Sequence, residues 1–251
     1  MPCVNIRGCC IGEGRPKVIL PIVEPTETAV LEKAAEFSTL RADCVEWRVD
    51  LFAHPTDLSA VVHCLAKLRI ALKDQLLLVT LRTKAEGGSA APDHEAYLHF
   101  LHTVLDTDCA DLIDIEFFTA GEDLPKLIED AHTAGACVVC SSHDFQQTLP
   151  RAELVARMTA MQRAGADLPK LAVMPQSRTD VLELLAATAE MADRHPETPI
   201  ITMSMGTLGA VSRLCGEAFG SAMTFANPGT ASAPGQISLE VVNAVLDNLK
   251  L

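Results

Sequence analysis

The chain has 251 residues, 49% of them apolar and 4% aromatic, so a sizeable core is available and Leu, Val, Ile and Ala must build most of it. A formal charge of -13 argues against nucleic acid or an anionic membrane as partner, while leaving room for a few local arginines to hold a small anion. Nine cysteines, an odd number, with no secretory signal ahead of them, lead to the expectation of free thiols in a reducing cytoplasm.

Strand-like and helix-like segments alternate along the whole chain. Residues 3–12 form an extra extended segment or hairpin. Residues 17–23 (KVILPIV) read as the first strand and 27–37 as a helix. The next pairs are 43–49 (DCVEWRV) with 57–72, 75–82 (QLLLVTLR) with 93–106, and 111–117 (DLIDIEF) with 122–134. Then come 136–142 (ACVVCSS) with 151–165, 169–174 with 178–193, 199–205 (PIITMSM) with 207–218, and 221–225 (SAMTF) with 238–249. Apolar periodicity and turn residues carry these readings.

Eight short strands, each followed by a helix, imply a parallel sheet, and in this length a closed (β/α)8 TIM barrel. An open nucleotide-binding sheet would show glycines after its first strand, where Ile22-Val23-Glu24-Pro25 stands. The expectation is an α/β fold: one barrel domain over residues 1–251, with an N-terminal β-hairpin covering the bottom of the barrel. The longest uncharged stretch, around 218–239, is broken by Gly, Pro, Ser and Asn, so no membrane helix is expected. Cys137 and Cys140 have redox spacing but lie in a strand, where alternation puts their sulfurs on opposite faces. Cys9-Cys10 has no metal-site partner at useful spacing, and His99 and His102 read as surface residues.

Barrel enzymes gather their chemistry at the C-terminal ends of the strands. Glu46, Arg48 and Asp50 fall on one face of the second strand, which points to an inward Glu–Arg pair. The third strand ends at Arg82, with Glu86 just beyond, and the fifth at His143. Lys170 lies in the sixth strand. Met203, Met205 and Gly206 end the seventh, and Arg213 follows. Phe225 lies at the end of the eighth strand, and the last loop supplies Ser232 and Gln236. That loop, 226–236, and the loop 84–94 are candidate lids. Taken singly, each residue has an ordinary structural explanation; their joint placement on one rim is what points to a site.

Amine catalysis is the chemistry this set suggests. A desolvated lysine favours its neutral form and can attack a ketone to give an iminium. A nearby histidine can remove the proton that the iminium acidifies and pass it to a leaving hydroxyl. Arginines would hold a carboxylate, and acidic side chains would hold hydroxyls. The substrate is then a hydroxylated keto acid that loses water.

The strings EWRVD, LRTKAEGG, SSHDF, KLAVMP, MSMGTLGAVSR and ASAPGQ, in this order, resemble type I 3-dehydroquinate dehydratase. The resemblance implies syn loss of water from 3-dehydroquinate to give 3-dehydroshikimate, in the shikimate pathway of aromatic amino acid biosynthesis. It implies Lys170 as the Schiff-base residue, His143 as general acid/base and Glu86 as the residue orienting it. Arg213 and Gln236 would grip the carboxylate with Ser232 beside them, and Glu46, Arg48 and Arg82 would bind ring hydroxyls. Met203, Met205, Phe225 and Ala233 would shape the pocket. It further implies no metal, no organic cofactor and a cytoplasmic homodimer. The alternative is a class I Schiff-base aldolase on the same barrel. Its usual glycine-rich phosphate cradle fits the last two loops less well than a carboxylate grip does.

Overall fold

The structure, a computed structural model, describes residues 3–229 and 235–249. It opens with an antiparallel hairpin of β1 (Val4–Ile6) and β2 (Cys9–Ile11). Eight parallel strands follow: β3 (Lys17–Ile22), β4 (Cys44–Arg48), β5 (Leu76–Thr80), β6 (Leu112–Glu116), β7 (Cys137–Asp144), β8 (Leu168–Val173), β9 (Ile201–Ser204) and β10 (Met223–Asn227). A two-residue strand, β11 (Ile237–Ser238), lies parallel beside β10. The helices are α1 (Glu27–Phe37), α2 (Leu58–Leu72), α3 (His94–Leu105), α4 (Phe117–Ala120), α5 (Leu124–Thr133), α6 (Arg151–Arg163), α7 (Arg178–Arg194), α8 (Gly206–Gly209), α9 (Gly216–Phe219) and α10 (Leu239–Asn248). Thr26, Asp57, Asp93, Ser177 and Ser238 cap α1, α2, α3, α7 and α10 by accepting a first-turn N–H.

Neighbouring strands pair in parallel from β10 through β3 round to β9. The ring closes where Ile200 bridges Ser221 and the Ala222 N–H donates to the Ile200 carbonyl at 2.8 Å. This is the expected eight-stranded α/β barrel. Strand alternation divides the apolar residues into two layers. Leu20, Val45, Trp47, Leu77, Val79, Ile113, Ile115, Val138 and Leu171 face outward and pack with helix residues such as Leu65 and Leu101. Ile19, Cys44, Leu76, Leu78, Leu112, Val139, Leu168, Ile201 and Met223 fill the inside. Cys140 belongs to the outer layer and Cys137 packs against the inner one, the opposite-face arrangement that alternation dictates.

The hairpin covers the bottom. Ile11 is fully buried among the inner-layer residues at the strand starts, with Val4, Ile6 and Cys9 packed beside it. Asp111, at the entry to β6, accepts from Arg7 of the hairpin at 2.5 Å and from Arg69 of α2 at 2.6 Å. These contacts tie hairpin, sheet and helix layer together. The expectation of free thiols throughout is corrected here. Cys3 and Cys10 form a disulfide with Cα atoms 5.6 Å apart. Hairpin geometry brings the two cysteines together in a way that sequence spacing did not reveal.

A second correction concerns 207–218, expected as one helix. The segment instead forms α8, a 3-10 turn at Ala210–Arg213, and α9. Side-chain hydrogen bonds compete with helix formation here. The Ser212 hydroxyl accepts from the Ser204 N–H at 2.9 Å and donates to the Gly209 carbonyl at 2.7 Å, while Thr224 donates to the Arg213 carbonyl at 2.9 Å. Gly209 is required at this fold-back, since a Cβ there would lie 2.4 Å from the Ser204 backbone. The tight wrap buries Arg213, which an ordinary surface helix would expose.

Replacing Ile11 with Ala should leave a cavity under the barrel and cost about 2–5 kcal/mol. Urea denaturation should register that loss while KM stays unchanged, because Ile11 lies at the end of the barrel remote from the polar rim.

Candidate active site

Inside the barrel, polarity rises with height. The inward residue after Cys44 on β4 is Glu46, after Leu78 on β5 is Thr80, after Leu112 on β6 is Asp114, after Val139 on β7 is Ser141, and after Leu168 on β8 is Lys170. The next inward positions are Arg48, Arg82, Glu116, His143 and Ala172. An apolar floor therefore supports a polar tier, and above it opens a cavity of about 160 Å3. Glu46, Arg48, Arg82, Glu86, His143, Lys170, Met203, Met205, Arg213, Phe225 and Gln236 all line it. Ser232 and Ala233, the other two expected site residues, lie outside the described residues.

Lys170 is 3% exposed, and its Nζ sits 4.8 Å from the centre of the Phe225 ring. It also lies 3.4 Å from Asp114 Oδ2, so the amine has a carboxylate neighbour rather than apolar walls alone. Asp114 contacts Arg82 Nη2 at 2.7 Å and accepts from Ser141 at 2.7 Å. Burial works against the Asp114 charge, but the Arg82 and Lys170 cations outweigh it and hold the carboxyl below its ordinary range.

His143 stands on β7, the strand next to Lys170, with Ser141 as the residue directly opposite the lysine. Glu86 lies on a 3-10 turn, Lys84–Glu86, just after Arg82. Its Oε2 is 2.8 Å from His143 Nδ1 and accepts the His143 backbone N–H at 3.1 Å. With the ring proton on Nδ1, Nε2 is left as the basic nitrogen. Gly87 ends the turn at φ +79°, a backbone conformation that favours glycine, and the Phe145 ring packs where a Cβ would stand. Burial pushes the imidazole well below its ordinary value, and Arg82, Lys170 and Arg48 push the same way. Burial lifts Glu86 to about 8; Arg82 opposes this, while Glu116 and Asp114 add to it. Both shifts act against charge on this buried pair.

The expected Glu46–Arg48 pair is corrected by the structure. Arg48 makes a two-pronged contact with Asp50, at 2.8 and 2.9 Å, and Glu46 instead accepts from Thr80 at 3.0 Å. Asp50 also accepts from the Arg82 and Ser89 backbone N–H groups, so it ties the 82–90 loop to the rim. Arg213 is 2% exposed, with Nη1 3.6 Å from Met203 Sδ. Burial lowers it to about 10, which leaves it cationic at neutral pH.

Asp114, Glu116 and Ser141 were missed by sequence reasoning. The signal was present: Leu112-Ile113-Asp114-Ile115-Glu116 carries two carboxyls at alternate, inward positions of an otherwise apolar strand. The same alternation had marked Glu46 and Arg48. Cys3, Cys10 and Glu13 gather at the opposite end of the barrel, where the two sulfurs are already joined to each other.

Fold and cavity together define a (β/α)8-barrel enzyme with its polar machinery at the C-terminal rim. The comparisons with known proteins agree on which one. The family model for type I 3-dehydroquinase matches residues 18–251. The 3-dehydroquinate dehydratase of Bacillus subtilis is 45% identical over 99% of this chain and 98% of its own. The crystal structure of type I 3-dehydroquinate dehydratase from Clostridium difficile, solved with covalent modified comenic acid, superposes with a TM-score of 0.96 at 42% identity, covering 99% and 98% of the two chains. The Geobacillus kaustophilus 3-dehydroquinate dehydratase structure gives 0.94 at 36% identity, covering 98% and 96%. The chain belongs to the type I 3-dehydroquinase family, the dehydratases of the shikimate pathway, and is a carbon–oxygen lyase.

Glu86→Gln should separate stability from activity. A carboxyl whose pKa rises from 4.5 unfolded to about 8 folded holds its proton more tightly in the folded state between those values, so wild-type stability falls as pH climbs through that window. The variant lacks this penalty. Its urea midpoint should match wild type near pH 5 and exceed it near pH 9, while turnover drops.

Proposed function

We propose that the chain converts 3-dehydroquinate to 3-dehydroshikimate by syn elimination, with Lys170 as the imine-forming nucleophile. The observation that carries this reading is the lysine at the cavity floor with a carboxylate-held imidazole on the adjacent strand. Covalent capture of a ligand in the Clostridium difficile relative supports it.

The steps balance as follows. The unprotonated Nζ of Lys170 attacks the ring ketone, and the carbinolamine loses water to give an iminium. The iminium nitrogen acidifies the neighbouring C–H, and Nε2 of His143 takes that proton. The electron pair enters the enamine and then expels the β-hydroxyl, which leaves as water with the proton returned by His143. Addition of water to the product imine releases the enone and frees the lysine. The net change is loss of one water.

Arg213 and Gln236, with Ser232, hold the substrate carboxylate in this reading. Glu46, Arg48 and Arg82 serve the ring hydroxyls, and Met203, Met205, Phe225 and Ala233 exclude water. The Asp114 carboxylate lies 3.4 Å from Nζ and holds the amine at the cavity floor. The chemistry calls on no metal or organic cofactor. The aldolase alternative gains no support, because the relatives are dehydratases. A cytoplasmic homodimer goes with the same reading; among the described residues no helix is long and apolar enough to cross a membrane.

Borohydride added with 3-dehydroquinate should fix substrate mass on the Lys170 peptide and nowhere else. Lys170→Ala should bind substrate, show no adduct and turn over undetectably; an unmodified wild-type Lys170 peptide would exclude imine chemistry. His143→Ala should still be trapped as an adduct, but with kcat lowered by roughly 10²–10⁴-fold. A normal rate in that variant would remove His143 from proton transfer.

A further inference from the structure

Glu116 lies one tier outside the reacting groups, and its surroundings are unusually complete. The residue is fully buried. Its Oε1 accepts from Arg82 Nη1 at 2.9 Å and from the Thr83 N–H at 2.8 Å. Its Oε2 accepts from the Thr83 and Thr119 hydroxyls, each at 2.6 Å. Four donors on one buried carboxyl satisfy both of its oxygens and fix its orientation. Its own backbone N–H donates to the Tyr97 hydroxyl at 2.9 Å, so α3 anchors the end of β6.

Two of these contacts govern Glu86. Thr83 is the residue from which the Lys84–Glu86 turn starts, so Glu116 clamps the base of that turn. Arg82 Nη1 is also shared: it lies 2.9 Å from Glu116, 3.0 Å from Ser141 and 3.4 Å from Glu86, while Nη2 lies 2.7 Å from Asp114. The guanidinium sits closer to Glu116 and Asp114 than to Glu86. Glu116 therefore draws away the counter-charge that would otherwise hold Glu86 ionised.

We propose that Glu116 is a positioning residue for the dehydration: it clamps the Thr83–Glu86 turn and holds Arg82 away from Glu86, so that the Glu86 carboxyl stays seated on His143. This rests on the acid/base role of His143 given above. The charged groups facing the pair are Arg82 at the end of β5, Arg48 on β4 with its partner Asp50, Asp114 and Glu116 on β6, and Lys170 on β8. Lys84 on the turn itself is exposed. Burial is the largest influence raising Glu86; Arg82 opposes it, and Glu116 adds to the rise ahead of Asp114.

The test is Glu116→Gln, which keeps size and hydrogen-bonding capacity but removes one negative charge. Losing that charge lowers the proton affinity of the coupled Glu86–His143 pair, so the pH profile of kcat should move to lower pH by roughly one unit with KM within about twofold of wild type. Glu116→Asp restores the charge with a shorter reach; its profile should return to the wild-type position while kcat falls below that of wild type. A folded Glu116→Gln enzyme with an unmoved profile overturns the proposal. If that variant does not fold, carboxyl 13C NMR of the wild type decides. Glu86 must titrate above the ordinary carboxylate range, because Arg82 is held off it, and a Glu86 that titrates at the ordinary value overturns the proposal. Borohydride trapping of wild type is run alongside. Absence of a Lys170 adduct means the imine reading has failed; an adduct with an unmoved Glu116→Gln profile means the positioning role alone has failed.

Discussion

The guanidinium of Arg82 is the point on which the inside of this barrel depends. Three carboxyls from two adjacent segments, Asp114, Glu116 and Glu86, converge on it, and Ser141 accepts from the same group. Such a cluster is costly to desolvate and survives only because nearly every lone pair and proton has a partner. In return it fixes two side chains of the cavity at once. Asp114 reaches from Arg82 to Lys170, and Glu86 reaches from Arg82 to His143. Amine and imidazole are thereby referred to a common scaffold, although they stand on different strands.

The barrel itself was readable because its strands follow simple rules. Short apolar runs alternating with capped helices leave few topologies, and all eight strands lie where the hydrophobic pattern placed them. The rim was readable for a different reason: arginine, lysine and histidine stand out against an apolar strand, so Arg82, His143 and Lys170 drew notice. Asp114 and Glu116 did not, although the same alternation directs them inward. Their meaning depends on Arg82, which lies 32 residues before Asp114 in the chain and beside it in space.

Partner choice was the least readable level. Arg48 chooses Asp50 over Glu46 because the chain turns sharply after β4, where Val49–Leu51 form a 3-10 turn that brings Asp50 back to the guanidinium. Flat strand alternation cannot foresee that turn. The break between α8 and α9 has a similar origin. Ser212 looks like a neutral helix residue until its hydroxyl finds the Ser204 backbone. The Cys3–Cys10 link likewise depends on a hairpin register that spacing alone leaves open.

The plug formed by Ile11 and the hairpin has a kinetic meaning as well as a structural one. The inner layer already fills the barrel and Ile11 seals its base, so the cavity above them is reached from the C-terminal rim. The enone must vacate before a fresh molecule can enter, so accumulated product competes directly for the free enzyme.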